Sequence, residues 1–75
     1  MHKLLQRMIV NLLVNGETLE LPNNANIADL IKHLGCQDQR IALEVNETII
    51  PKSKHQEFLL SSSDKVEIIN AVGGG

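Results

Sequence analysis

The sequence predicts an α+β fold, a mixed β-sheet with one crossover helix on one face. Three observations carry that expectation. Residues 8–14 are apolar apart from Asn11 and rich in β-branched side chains, and residues 17–21 alternate apolar and polar, on either side of Asn15-Gly16. Residues 27–34 space their apolar side chains at helical intervals and stop at Gly35. Further apolar stretches at 41–46, 49–50 and 66–72 have the length and β-branched content of strands.

The elements follow in order. In Met8-Ile9-Val10-Asn11-Leu12-Leu13-Val14, the residues Met8, Val10, Leu12 and Val14 share one face, because strand side chains alternate with period two. Asn15-Gly16 is a strong hairpin signal, since a type I′ turn needs positive φ at both central residues. Glu17–Leu21 alternates again, with Leu19 and Leu21 inward. Pro22, having no N–H, is expected to stop the strand. Asn26 suits a helix N-cap, and Asp29 follows three residues on, where the helix dipole favours a carboxylate. Ile27, Leu30, Ile31 and Leu34 form one stripe at i, i+3, i+4 and i+7. Lys32 and His33 suit the last turn, and Gly35 suits the left-handed residue after it.

A polar loop, residues 36–40, precedes the strand Ile41–Asn46, which turns Ile41, Leu43 and Val45 to one side. A turn at Asn46-Glu47 leads to Ile49-Ile50, which Pro51 ends. The mixed stretch 52–60 allows a 3₁₀ turn at Ser53–Gln56 and a brief strand near Phe58–Leu60. Residues 61–65 read as a turn. In the last strand, Val66–Val72, residues Val66 and Ile68 face one way and Glu67, Ile69 and Ala71 the other. Residues 1–72 thus form one small domain, with 1–7 a frayed extension and 73–75 a flexible Gly-Gly-Gly tail.

Composition excludes several classes. The chain has 75 residues, too few for a cleft between two lobes, so a carrier, binding module or subunit is expected rather than an enzyme. Its net charge is −2 and Phe58 is the only aromatic residue, which disfavours nucleic acid as a partner. No apolar run nears the ~20 residues of a membrane span. One cysteine, Cys36, permits no internal disulfide and suits a reducing, cytoplasmic setting.

Chemistry-bearing motifs are few. His2, His33, His55 and Cys36 lack metal-ligand spacing and read as surface histidines and a loop thiol, so no metal site is expected. Cys36 follows a helix C-terminus, where the dipole disfavours a thiolate. Glu44 and Glu47 read as solvated charges. No glycine-rich loop joins a strand to a helix, so no phosphate cradle is visible. No catalytic residue is assigned.

What remains is Gly73-Gly74-Gly75, directly after an apolar strand. At ordinary glycine usage of about 7%, three in a row at a given place has a chance of roughly 3 in 10,000. Three extended residues reach at most ~11 Å. Lacking Cβ atoms, they can thread a slot too narrow for any side chain. What they deliver is the α-carboxylate of Gly75, which becomes an acyl donor once a partner adenylates it. The alternative is an inert chain end.

Val14-Asn15-Gly16, Ala42-Leu43-Glu44-Val45-Asn46, Ile50-Pro51 and the run from Asp64 to Gly75 together resemble the thiamine-pathway sulfur carrier proteins, which are small β-grasp, ubiquitin-like proteins. The likeness covers about residues 8–75. Where that family often has Gly-Asp before the last strand, this chain has Ser63-Asp64. The resemblance implies that the last strand is central and lies beside the first. It implies that an E1-like adenylyltransferase uses ATP to activate Gly75, and that the chain itself binds no cofactor. Sulfur from cysteine, supplied indirectly by a desulfurase, then makes a thiocarboxylate, which serves a thiazole synthase. A molybdopterin-synthase small subunit or another sulfur carrier is the nearest alternative. The former family tends to carry prolines before its glycines, where this chain has Asn70-Ala71-Val72. A non-covalent ubiquitin-like adaptor is the alternative from another class. Leu13, Ile69 and Ala71, on the sheet face away from the helix, are the expected docking residues.

Overall fold

The computed structural model describes residues 8–70. The expected frayed segment 1–7, the docking residue Ala71, Val72 and the tail Gly73, Gly74 and Gly75 lie outside the described residues.

The elements are β1 (Ile9–Val14), β2 (Glu17–Pro22), α1 (Ile27–His33), β3 (Ile41–Val45), β4 (Thr48–Ile49), a 3₁₀ turn (Lys52–Lys54) and β5 (Lys65–Asn70). They form one five-stranded sheet in the order β2-β1-β5-β3-β4. β1 pairs antiparallel with β2 and parallel with β5; β5 pairs antiparallel with β3. With α1 on one face, this is the β-grasp arrangement, and its last strand is central.

Local chemistry explains each join. Asn15 (φ 49°) and Gly16 (φ 87°) make the β1–β2 hairpin turn with both central residues left-handed. Asn46 (φ 51°) and Glu47 (φ 72°) do the same between β3 and β4. In α1, Asn26 Oδ1 accepts from the Asp29 N–H at 2.7 Å, and Asp29 Oδ2 accepts from the Asn26 N–H at 2.9 Å. This reciprocal capping box satisfies two groups at the helix start. At the other end, the Gly35 N–H donates to Lys32 and the Cys36 N–H to Ile31, the two bonds of a Schellman motif.

The core is one cluster. Val10, Leu12 and Val14 of β1, Leu21 of β2, Leu43 and Val45 of β3 and Val66 of β5 pack against Ile27, Leu30 and Ile31 of α1. Leu12, Ile27, Leu30, Leu43 and Val66 are almost wholly enclosed.

The structure corrects several expectations. Pro22 does not lie beyond the end of β2 but is its last residue, paired with Ile9. It is tolerated because β2 is an edge strand. Met8 lies outside β1 and is 61% exposed, since the β1–β2 ladder ends at Ile9. Leu34 is the helix C-cap and is 42% exposed, so the buried stripe is Ile27, Leu30 and Ile31. The 3₁₀ turn, Lys52–Lys54, starts one residue earlier and ends two earlier than expected. The brief strand near Phe58–Leu60 is a single bridge, Asn26 to Leu59. β5 starts one residue earlier, at Lys65.

Candidate functional site

The functional geometry centres on β5, the strand that precedes the terminal glycines in sequence. Its start is held from both sides. The Leu13 N–H donates to the Asp64 carbonyl at 3.0 Å, and the Asn46 N–H donates to the Lys65 carbonyl at 2.7 Å. The Asn46 side chain adds two bonds, accepting from the Lys65 N–H and donating to Asp64 Oδ1, each at 3.0 Å. Asp64 Oδ2 accepts from the Ser61 N–H at 2.8 Å, which ties down the preceding turn.

Further along, β5 pairs with β3 through Ile41 opposite Asn70. On the β1 side the ladder covers only Leu13–Lys65 and Val14–Val66. Asn15 then takes over. Its N–H donates to the Val66 carbonyl at 2.9 Å. Its side-chain Oδ1 accepts from the Ile68 N–H at 2.7 Å, and Nδ2 donates to the Ile68 carbonyl at 3.3 Å. The role of Asn15 beyond the turn escaped the sequence reading, because a turn asparagine carries no local sign of a partner fifty-three positions away.

The face away from α1 carries Leu13 (39% exposed) and Ile69 (49% exposed), as expected. They are not neighbours. Leu13 stands opposite Lys65, and Ile69 is four residues further along β5, about 13 Å at 3.3 Å per residue. Ile69 instead faces Ala42 on β3. Glu67 faces Glu44, which in turn faces the exposed Ile49 of β4. Ala42 and Ile49 were not singled out from the sequence. The strand alternation places Ala42 with Glu44, but the β3–β5 register that sets it against Ile69 is a tertiary fact.

The candidate ligands are apart or engaged within the fold. His33 is exposed. Cys36 is half-buried, with Sγ donating to the Ile31 carbonyl at 3.7 Å. His55, expected at the surface, is buried, and its Nε2 lies 3.0 Å from the Ile50 carbonyl. A carbonyl can only accept, so Nε2 carries the proton. His2 lies outside the described residues. Among the described residues no group of three His, Cys, Asp or Glu side chains is placed to hold a metal. A half-open groove of about 790 Å³ between the end of α1 and the 3₁₀ turn is lined in part by Cys36, Arg40, Lys52 and His55. No helix among the described residues is long and apolar enough to cross a membrane.

A small mixed sheet with one helix on one face and its last described strand at the centre defines a β-grasp protein. The comparisons with known proteins agree. The chain matches the ThiS family over residues 7–75 and belongs to that family. It is thus a sulfur carrier of thiamine biosynthesis and not an enzyme. It is 33% identical over 66 residues to the uncharacterized protein ycf40 of Porphyra purpurea, covering 88% of this chain and 93% of that one. It is 32% identical over 66 residues to a thiazole synthase of Paramagnetospirillum magneticum, covering 88% of this chain but 20% of the synthase. Its fold matches the crystal structure of thiamine biosynthesis protein ThiS from Geobacter metallireducens. That match has a TM-score of 0.76 and 25% identity and covers 88% of this chain and all of the other.

Proposed function

We propose that the Gly75 α-carboxylate is the group that carries sulfur. A carboxylate oxygen attacks the α-phosphorus of ATP in the site of an E1-like adenylyltransferase, and pyrophosphate leaves. The outer sulfur of a cysteine-derived persulfide, formed through a desulfurase, then displaces AMP to give an acyl disulfide. A second thiol attacks the inner sulfur, so that the S–S bond breaks, a protein disulfide forms and the thiocarboxylate leaves. The thiocarboxylate gives its sulfur to a thiazole synthase. ATP belongs to the adenylating partner, and the carrier holds no cofactor of its own. Cys36, a free thiol, suits a reducing compartment, and we assign the chain to the cytoplasm.

The observation that carries this reading is the fixing of β5 at its start and at Ile68, seven positions before Gly75 in sequence. A rigid base lets a short glycine segment present its end within a small volume. The thiazole synthase that shares this chain's sequence over a fifth of its length supports a synthase as the acceptor. We place docking on the face away from α1 that carries Ile69, with Leu13 further out.

Intact-mass analysis tests the reading. The chain is incubated with an E1-like partner, ATP and a cysteine-fed sulfur source. Replacement of one oxygen by sulfur at Gly75, dependent on ATP, is the expected result. Stable binding of the partner with no such mass change would identify a non-covalent adaptor instead.

A further inference from the structure

The turn at Asn15-Gly16 does not by itself require asparagine at position 15. Its φ of 49° is open to glycine and aspartate as well. What only an amide supplies is one donor and one acceptor side by side. Ile68 presents both complements to it. Its N–H and its carbonyl are taken together by Asn15 Oδ1 and Nδ2, at 2.7 and 3.3 Å. The side chain thus acts as one more rung of β1 after the backbone of β1 has turned away into β2.

From this we infer that Asn15 is a positioning residue that sets the direction of β5 ahead of the glycines; the inference rests on the carrier reading. Among the described residues, β5 beyond Val66 pairs in the sheet with β3 alone. Two-stranded ribbons twist more than strands held from both sides. Asn15 restores the second side at Ile68, the last described point where β5 is held on the β1 edge. Ile68 stands seven residues before Gly75, roughly 23–25 Å when extended. The direction of β5 at Ile68 sets where that reach begins, and a displacement of about 1 Å already matters to a reacting group. Asn46 offers an internal comparison. It too has positive φ in a hairpin turn and bonds β5 through its side chain, but at Lys65 and Asp64, where the strand begins.

The test uses the full chain with Asn15→Gly, Asn15→Asp and Asn46→Gly. Amide hydrogen exchange at Ile68 reports whether the clamp is lost. ATP–pyrophosphate exchange by the adenylating partner, followed against carrier concentration, separates kcat from KM. A carrier that is only less stable lowers the effective concentration and shifts apparent KM, whereas a misdirected tail lowers kcat at saturation. Asn15→Gly should exchange Ile68 faster. Asn15→Asp keeps an acceptor for the Ile68 N–H but sets a carboxylate against the Ile68 carbonyl. Both should lower kcat about tenfold or more, with KM within about twofold. Asn46→Gly, which frees β5 only at its start, should lower kcat less than either Asn15 variant. Asn15→Asp keeps a residue suited to the turn and so stands in if the glycine variant folds poorly. Normal kcat in an Asn15 variant whose Ile68 amide exchanges freely would overturn the inference alone. No exchange with the unaltered chain would overturn the carrier reading and this inference with it.

Discussion

His55 and Ile50 are joined by a buried hydrogen bond, with Nε2–H donating to the Ile50 carbonyl at 3.0 Å. His55 also receives the Ala28 N–H on its own carbonyl, so it ties the 3₁₀ turn to the end of the β4 segment and to the start of α1. Replacing it with leucine keeps an apolar side chain of similar size but leaves the Ile50 carbonyl without its donor. A buried group left unsatisfied costs about 1–3 kcal/mol. His55→Leu should therefore lower the urea midpoint by a corresponding amount. His55→Gln, whose amide nitrogen can take the place of Nε2, should recover part of the loss.

That bond also marks what the sequence shows and what it hides. Local chemistry was legible. The hairpin at Asn15-Gly16, the Asn26–Asp29 capping box and the Gly35 stop each depend on residues within a few positions of one another. Burial that depends on distant packing was not. His55 has no apolar periodicity around it, and only the closure of 51–60 over the helix start buries it. Leu34 fits the stripe by spacing, yet the Schellman turn carries it out of the core. For the site, the glycine tail and the outward face of Ile69 were readable from order and alternation. The Asn15–Ile68 clamp and the Ala42–Ile69 pair were not, because both need the register of β5 between β1 and β3.

Ser63 and Glu47 hold left-handed backbone at φ 73° and 72°. For a residue with a Cβ this costs roughly 1–2 kcal/mol, which glycine avoids. Glycine in turn adds about 0.4–1 kcal/mol of unfolded-state entropy. The steric term is the larger, so Ser63→Gly and Glu47→Gly should each stabilise the protein slightly, by up to about 1 kcal/mol. Ser63→Gly also restores the Gly-Asp common in the resembled carriers. Thermal melts that move downward would show that neither residue is strained.

Ile69 and Ala42 form the apolar pair nearest the described end of β5 on the face away from α1. If the adenylating partner docks there, Ile69→Asp should raise KM about tenfold or more, the effect of losing a central contact worth 1–2 kcal/mol. Circular dichroism should stay native, because Ile69 is half exposed and outside the core cluster. Leu13→Asp, about 13 Å away along the sheet, should cost less. Equal losses from both variants would place the contact across the whole face. No loss from either would move docking elsewhere.

The last prediction separates folding from function in the tail. The core cluster and the residues packed on it run from Val10 to Ile68 among the described residues, so the hydrophobic packing that holds the fold is in place before the glycines. Glycine has no side chain to bury and loses the most backbone freedom when ordered. Deleting Gly74 and Gly75 should therefore change stability by no more than about 0.5 kcal/mol, as for substitutions away from structural features. The same deletion draws the carboxylate back by up to ~7 Å. Adenylation needs the carboxylate oxygen within about 3–3.5 Å of the α-phosphorus, and a displacement of about 1 Å can cost a hundredfold. The truncated chain should melt like the intact one, still bind the partner through the sheet, and fail in ATP–pyrophosphate exchange. Gly74→Val restores the length and adds a side chain where the slot admits none, so it should fail in the same assay for a different reason. Exchange at a near-normal rate by the truncated chain would show that the Gly75 carboxylate is not the acyl donor.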